Sequence, residues 1–251
     1  MVASRFFVTD LLKKGTLSFE GAEFHHMVRV TRHQVGDTVL LFDGVGREAP
    51  AEIEHISRHA ATLKVGRVET LPVEPGPHLV LAVAMPKSSR AATLVEKAVE
   101  LGVSRVVPIT TSRSVVDPRP SKLDQLRNNI IAASKQCGRS RLMEVGSVLT
   151  WSQFVSSNLL GPQTAVAHPG GVPFNAELVR SMLPTAGSGK KAGGADTIVG
   201  VVGPEGGFTV EEITQTVTRG ARLVSLGPRM LRVETAALMM SSVFTSAQMN
   251  R

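Results

Sequence analysis

The chain has 251 residues, 42% of them hydrophobic, which is enough for one large globular domain or two smaller ones. No apolar run approaches the ~20 residues of a membrane span, and no hydrophobic signal core follows Met1, so we predict a cytoplasmic protein without a membrane partner. A single cysteine excludes an internal disulfide and a cysteine-rich zinc site, and no histidine spacing is typical of a metal site, so we predict no bound metal.

The net charge of +7 is concentrated in one segment. Residues 1–75 contain 9 Lys/Arg and 10 Asp/Glu, whereas residues 87–141 contain 11 Lys/Arg and 4 Asp/Glu. A concentrated basic region suits a polyanion such as RNA, because neutralising phosphates releases counterions. The alternative is a basic surface that serves only solubility.

The first seventy or so residues alternate short β-type runs with turn residues, which predicts a small β-barrel. A hairpin turn is predicted at 43–46 and a short helix at 23–28. The prolines of residues 72–77 break the pattern, so we place the boundary between two domains there, at 1–74 and 77–251. Strands are predicted at 6–8, 38–42, 51–56 and 60–65.

From residue 78 onward, strands and helices alternate, which is typical of an α/β domain with a mainly parallel sheet. The unbroken apolar run at 78–84 indicates a sheet that is covered on both faces. Residues 185–195, which consist mainly of Gly, Ala and Lys, predict a flexible surface loop. Strands are predicted at 78–84, 103–109, 163–168, 197–202 and 221–226, and helices at 88–101, 121–136, 209–219 and 233–249.

Two Gly/Pro-rich loops each follow a predicted strand: residues 203–208 (the glycine loop) and residues 226–236 (the arginine loop). Parallel α/β sheets bind ligands beyond the carboxyl ends of their strands. Glycines let the backbone approach a flat ligand, and turn amides without a partner can hydrogen-bond it. We therefore predict that the two loops hold a nucleotide-like cofactor between them.

Three charged side chains of these loops are candidate site residues. Glu205 lies before Thr209, which forms a predicted helix capping box with Glu212, so Glu205 has no helical role and is either a site residue or a solvated turn carboxylate. Arg232 lies near a predicted helix start, where the amides disfavour a cation, which favours a role such as binding a phosphate or a polarised carbonyl. Glu234 is favourable there for structural reasons alone, so a site role and a structural role both remain open.

Segments along nearly the whole chain match one family; they are 5–8, 25–30, 35–37, 85–87, 96–103, 136–139, 203–208 and 226–236. With them the chain resembles the bacterial 16S rRNA (uracil-1498 N3)-methyltransferases of the knotted SPOUT class. The resemblance implies a PUA-like β-barrel followed by an α/β domain with a C-terminal trefoil knot. It also implies a homodimer with the site beside the subunit interface.

The resemblance further implies S-adenosylmethionine as the methyl donor, held chiefly by main-chain groups. In this sequence those groups lie on Gly203, Pro204, Glu205, Leu226, Gly227, Met230 and Leu231, with His168 and Pro169 as a third wall. The chain departs from the family at Lys135, where Glu is usual, and at Met230, where Ile is usual and which we interpret as a mild core exchange. Cys137 has no readable histidine partner and is interpreted as a buried thiol.

The predicted reaction is methyl transfer to N3 of a uridine in 16S rRNA within the 30S subunit. Uracil N3 carries a proton at neutral pH, so the proton must be removed and the charge on O2 and O4 stabilised. We predict that Arg232 stabilises this charge or orients the base and that Glu234 or Glu205 accepts the proton. N3 lies on the pairing edge, so the target is unpaired or flipped out. The predicted contacts to the RNA backbone are Arg5, Arg29, Arg32, Arg113 and Arg139.

Three other interpretations remain open from the sequence. The chain could be a 2′-O-ribose RNA methyltransferase of the same knotted class, or a non-catalytic RNA-binding ribosome assembly factor. The third is a nicotinamide enzyme on a doubly wound sheet. Against it, the GxGxxA-like pattern at 187–192 leads into a strand, whereas a dinucleotide-binding fingerprint follows a strand and opens a helix.

Overall fold

The structure, a computed structural model, describes residues 4–73, 77–116, 120–183 and 197–249. The chain folds as two compact units, Met1–Pro75 with Ile131–Leu142, and Gly76–Ile130 with Met143–Arg251. The predicted surface loop at 185–195 and the pattern within it lie outside the described residues. None of the helices in the described parts combines the length and the apolar content that a membrane span requires.

The first unit is built on a six-stranded sheet. Its elements are β1 (Arg5–Phe7), β2 (Gly15–Glu20), α1 (Gly21–His25), a π-helical turn (His26–Val30), β3 (Thr38–Phe42), β4 (Arg47–Ile56), β5 (Ala60–Val65) and β6 (Glu69–Thr70). The strand order is β1-β3-β4-β5-β2, with β6 on β4. The β1–β3 pairing is parallel and the others are antiparallel. The predicted strands and the short helix are confirmed, whereas β2 and β6 were not predicted.

Alternating burial along β4 creates the core of the first unit. Ala49, Ala51 and Ile53 point inward, and the residues between them, Pro50 and Glu52, are exposed, as the two-residue period of a strand requires. The inward side chains pack against apolar residues from the other strands and from the π-helical turn. Among these, Phe6, Met27, Leu41 and Leu63 are almost completely buried.

Several charged groups lie inside the first unit and are paired there. The Asp43 carboxylate is fully enclosed and accepts hydrogen bonds from the amides of Leu12, Val45 and Arg47 and from Arg47 Nε at 2.7 Å. Burial raises the pKa of Asp43, but these hydrogen bonds outweigh burial, so the pKa lies below its ordinary value of 3.8. Asp43 thus fixes the β3–β4 hairpin turn as a buried anion.

Lys135, where the resembled family has Glu, is part of a second ion pair in the first unit, and this pair is partly buried. Its Nζ donates to both carboxylate oxygens of Glu23, at 3.0 and 2.9 Å, and lies 5.1 Å from the centre of the Phe6 ring. Glu23 Oε2 also accepts from the Phe7 amide. The lysine therefore joins residues 131–142 to the sheet of the first unit.

The second unit contains a seven-stranded sheet with helices between its strands. Its elements are β7 (His78–Val83), α2 (Ser88–Glu100), β8 (Arg105–Thr110), α3 (Pro120–Cys137), β9 (Glu144–Val145), β10 (Leu149–Thr150), α4 (Trp151–Ser156), β11 (Thr164–Pro173), α5 (Ala176–Met182), β12 (Thr197–Val202), α6 (Val210–Thr218), β13 (Arg222–Ser225) and α7 (Val233–Met249). The strand order is β10-β8-β7-β12-β11-β13, with β9 on β8, and every described pairing is parallel. This confirms the predicted α/β class.

Helices cover both faces of this sheet, as the apolar run of β7 predicts. On one face Val80 and Val201 pack in a cluster with Phe154 of α4 and Ile213 of α6. On the other face Leu81 lies beside Gly200, which also faces Met240 of α7. The short helices α4 and α5 were not predicted, although Thr150 and Asn175 cap them in the usual way.

Strands β12, β11 and β13 are neighbours, which brings three segments together at their carboxyl ends. The glycine loop follows β12, and the arginine loop follows β13. Between them, the β11–β13 pairing shifts register between Ala167 and Val172. Gly171 lies so close to β13 that an added Cβ would lie 2.3 Å from the Val224 amide nitrogen. This bulge directs His168 and Pro169 toward the two loops.

Candidate functional site

A cavity of about 350 Å³ lies at the carboxyl ends of these three strands, within the size range of small-molecule sites. All nine residues predicted to hold a cofactor lie in its wall. The wall consists of Ala167, His168, Pro169, Val202, the whole glycine loop, Leu226, Gly227, Arg229, Met230, Leu231, Val233 and Ala236. Three segments that are distant in sequence therefore form one site.

The glycine loop doubles back on itself, and its shape depends on Gly203. A Cβ at Gly203 would lie 2.8 Å from the Phe208 ring, so no larger residue fits. Gly207 has a φ of +69° and donates its amide to Pro204 O at 2.8 Å, which closes the turn. Phe208 in turn packs on Trp151, with ring centres 5.2 Å apart. The main chain of the loop consequently faces the cavity in a fixed shape.

Glu212 anchors the end of the glycine loop. The predicted capping box is confirmed, since Glu212 Oε2 accepts from the Thr209 amide and the Thr209 hydroxyl accepts from the Glu212 amide. The other carboxylate oxygen, Oε1, accepts from the Ser112 amide at 2.8 Å. Glu212 is only 3% exposed. It therefore has a structural role beyond the cap, because it ties α6 to the segment after β8.

Two arginines bind the glycine loop from outside. Arg113 Nη1 donates to the carbonyl oxygens of Gly206 at 2.9 Å and Phe208 at 3.4 Å. Arg90 Nη1 donates to Glu205 Oε1 at 3.0 Å. Arg113 was predicted as an RNA contact, whereas Arg90 was not singled out from the sequence. The sequence feature that could have indicated Arg90 is its place in the first turn of α2, where a cation is unfavourable and no acidic residue of that turn offsets it.

The last four residues of the arginine loop form the first turn of α7, and the helix start lies where it was predicted. Arg232 precedes the first helical residue, Val233, and its carbonyl accepts from the Ala236 amide. Arg232 is exposed and is not part of the cavity wall, although its sequence neighbours Leu231 and Val233 are. The cation at this helix terminus is therefore open to solvent.

Glu234 lies in the first turn of α7 with a side chain only 12% exposed. Its Oε2 atom is buried, has no hydrogen-bond partner among the described residues, and lies 3.8 Å from Arg90 Nη1. Burying a carboxylate oxygen without a hydrogen bond is unfavourable. Glu205, by contrast, is half-exposed in the cavity wall. The two predicted proton acceptors therefore occupy different environments around one arginine.

Met230 and Cys137 differ from their predictions in exposure. Met230 is 86% exposed at the cavity, so its exchange with Ile is not a core substitution. Cys137 is exposed rather than buried, because it is the last residue of α3. In both cases the tertiary position, which the local pattern does not encode, decides the exposure.

The predicted RNA contacts of the first unit differ in how exposed they are. Arg29 and Arg32 are exposed at and after the π-helical turn, and Arg32 has a φ of +57°, which is uncommon outside glycine. Arg139 is half-buried. Arg5, in contrast, is only 10% exposed and donates to Glu48 at 3.2 Å and to Ser140 Oγ at 2.6 Å. This geometry favours a structural role for Arg5.

The described residues contain no group of three or more His, Cys, Asp and Glu side chains that is placed to hold a metal ion. The chemical groups of the cavity are instead main-chain amides and carbonyls, apolar side chains, and the charged side chains at its edge. Such a wall suits an organic ligand.

The chain is similar to known RNA methyltransferases over most of its length. Two family models match the chain: an RNA methyltransferase domain over residues 74–245 and an RNA methyltransferase PUA domain over residues 19–66. The ribosomal RNA small subunit methyltransferase E of Synechocystis sp. is 31% identical over 229 residues, which cover 89% of this chain and 70% of that protein. Its counterpart in Mycobacterium bovis is 30% identical over 242 residues, which cover 94% and 89%.

A solved structure is similar over the same length. A methyltransferase of Legionella pneumophila, in complex with the bound cofactor SAM, has a TM-score of 0.84 at 28% identity and covers 98% of both chains. The resemblance noted in the sequence is thereby confirmed for the fold of both parts of the chain.

Proposed function

This chain belongs to the ribosomal RNA small subunit methyltransferase E family, and on that premise we propose that it methylates N3 of a uridine in 16S rRNA of the 30S subunit. It is an enzyme that uses S-adenosylmethionine and acts on ribosomal RNA. The observation that carries the proposal is that nine residues from three separate segments line one cavity. These segments meet only through the order of the strands β12, β11 and β13 in the sheet.

The chemical groups of the cavity wall suit S-adenosylmethionine. Gly203 and Gly227 expose main-chain groups that can bind an adenosine, and Leu226 and Leu231 supply apolar surface. Glu205 places a carboxylate in the wall, which suits a positively charged ligand. When bound, the cofactor supplies a methyl group on a positively charged sulfur atom.

Arg232 is the residue we propose for charge stabilisation. Removing the proton from N3 leaves negative charge on O2 and O4 of the uracil. The exposed guanidinium of Arg232 and the free amides at the start of α7 both favour negative charge at that position. Together they can stabilise the deprotonated base and orient it toward the cavity.

Either Glu205 or Glu234 accepts the N3 proton in this proposal. Glu205 lies in the cavity wall, and Glu234 lies in the first turn of α7 with one oxygen free of hydrogen bonds. Separate Glu205→Gln and Glu234→Gln variants distinguish the two, because only loss of the acceptor lowers the rate at saturating S-adenosylmethionine by orders of magnitude, about 100-fold or more.

Residues 1–74 are proposed to bind RNA and residues 77–251 to carry the methyltransferase site. Arg29 and Arg32 support this best, because they are exposed on a unit that matches a PUA-domain model. Arg139 is a further proposed contact. Arg5 and Arg113, which bind other protein groups, are proposed to support the RNA-binding surfaces. We also propose a cytoplasmic homodimer whose cavity lies beside the subunit interface; the trefoil knot stays a prediction.

Methyl transfer to 30S subunits tests the proposal. With labelled S-adenosylmethionine, we expect the wild-type protein to produce 3-methyluridine and Arg232→Ala to be about 100-fold slower. Arg222→Ala is the control, since Arg222 lies in β13 and its side chain donates to Ser181 away from the cavity wall. Activity of Arg232→Ala within about threefold of wild type would remove Arg232 from the chemistry. A label on the ribose 2′ oxygen would contradict N3 as the target.

A further inference from the structure

One guanidinium nitrogen joins the two loops of the cavity. Arg90 Nη1 lies 3.0 Å from Glu205 Oε1, in the glycine loop, and 3.8 Å from Glu234 Oε2, at the end of the arginine loop. Arg90 itself belongs to a third element, α2, and is not part of the cavity wall. A contact from outside the site therefore bridges two segments that form it.

Nothing within α2 explains a cation at this position. The helix begins at Ser88, its N-cap residue Lys87 makes no side-chain capping bond, and its first turn contains no acidic residue. The amide end of a helix disfavours positive charge, so Arg90 lies where its own helix stabilises it least. The compensating negative charge comes from the two loops across the site.

The two carboxylates also depend on Arg90. Both approach the same nitrogen, so without the arginine two like charges would lie near each other. Glu234 Oε2 is buried without a hydrogen bond, which leaves the Arg90 cation as its close ionic partner. Without that cation the buried Glu234 carboxylate would have no counter-charge. We expect the two loops then to move apart, so that water reaches the carboxylate.

We propose that Arg90 is a positioning residue that fixes the spacing of the glycine loop and the arginine loop and thereby sets the affinity for the cofactor. The inference rests on the proposed function, because it takes S-adenosylmethionine as the ligand of the cavity. Arg90 acts through Glu205 and Glu234 and contacts neither the methyl group nor the base. Since Arg90 and Glu205 are both partly exposed, the ion pair between these two residues contributes little to global unfolding stability.

Calorimetric titration of S-adenosylmethionine into the full-length chain tests this directly. We expect Arg90→Ala to weaken binding about tenfold, Glu205→Gln to weaken it similarly, and Arg90→Lys to bind with intermediate affinity. The double variant Arg90→Ala/Glu205→Gln should be no weaker than the weaker single variant, because both remove the same bridge. The control is Arg105→Ala, since Arg105 lies in β8 and faces Glu144 at 4.0 Å, outside the cavity wall.

Kinetics separate positioning from catalysis. With saturating cofactor, the kcat of Arg90→Ala should fall far less than the roughly 100-fold expected for Arg232→Ala, while KM for S-adenosylmethionine rises about tenfold with the dissociation constant. The unfolding midpoint should change by only a few degrees. If Arg90→Ala proves unstable, Arg90→Gln removes the same positive charge while keeping a polar side chain, and is expected to show the same loss of affinity.

Two results would overturn the inference: binding by Arg90→Ala within twofold of wild type, or losses that multiply in the double variant. Both leave the proposed function intact, because the wild-type titration is part of the same experiment. Failure of the wild-type protein to bind S-adenosylmethionine would instead contradict the proposed function itself.

Discussion

The first unit and the cavity of the second unit use charged side chains in opposite ways. In the first unit, Asp43 is fully enclosed and accepts hydrogen bonds from three main-chain amides and one guanidinium. Each of its two carboxylate oxygens therefore has two donors. At the cavity, Arg90 and Glu205 are partly exposed, and Glu234 keeps a buried oxygen without a hydrogen bond.

This difference indicates what each cluster contributes. A buried charge whose hydrogen bonds are all made stabilises one conformation, and removing it is costly. A partly exposed cluster contributes little to stability and leaves groups that can still respond to a ligand. We therefore expect substitutions in the first unit to change the free energy of unfolding, and substitutions at the cavity to change cofactor binding.

The largest expected effect is on stability, from Asp43→Ala. Removing this carboxylate leaves the Val45 and Arg47 donors without their acceptor inside the first unit, and we expect a loss of about 3 kcal/mol in the free energy of unfolding. Urea denaturation measures it, with Asp10→Ala, at an exposed position, as the control that stays within about 0.5 kcal/mol. A loss below about 1 kcal/mol for Asp43→Ala would show that the buried cluster is not what stabilises this hairpin.

Gly203→Ala should have the next largest effect, and it should appear in binding. The new methyl group would press against the Phe208 ring and push the glycine loop away from its shape, so we expect about 30-fold weaker binding of S-adenosylmethionine. The matched control is Gly161→Ala, because a Cβ there meets no atom within 4 Å. Equal affinities of the two variants in a calorimetric titration would contradict the steric argument.

The smallest expected effect is a change of the unfolding stability with pH. Asp43 has a pKa below its ordinary value of 3.8 in the folded protein. Its charge therefore stabilises the fold fully above that ordinary value, and this stability is lost as the pH falls through the lower pKa of the folded state. Wild type should therefore be more stable than Asp43→Asn at pH 6, and the difference should shrink below about pH 4. A difference in urea midpoints that does not change between pH 6 and pH 3 would contradict this assignment.

Local signals in the sequence predicted much of the fold and the wall of the cavity. The apolar runs of β7 and β12 and the capping box of Thr209 and Glu212 each depend on residues close in sequence. The alternation of Leu17 and Phe19 with polar residues is also a local signal, and it favours the strand β2.

Contacts between distant residues could not be predicted in the same way. Arg90 and Glu205 are 115 positions apart, and Arg5 meets Ser140 across 135 positions. For the same reason nothing in the sequence indicated that Ile131–Leu142 belongs to the first unit. Helix and strand patterns record the neighbours along an element, whereas these pairs depend on how the elements pack.

A crystal structure of the protein with S-adenosylmethionine tests the central claim most directly. We expect the ligand in the cavity, bound by main-chain groups of the glycine loop and of Leu226, Gly227, Met230 and Leu231, with His168 and Pro169 on the third side. Electron density for the ligand at any other place on the chain, with the loops at β12 and β13 making no contact to it, would contradict the account.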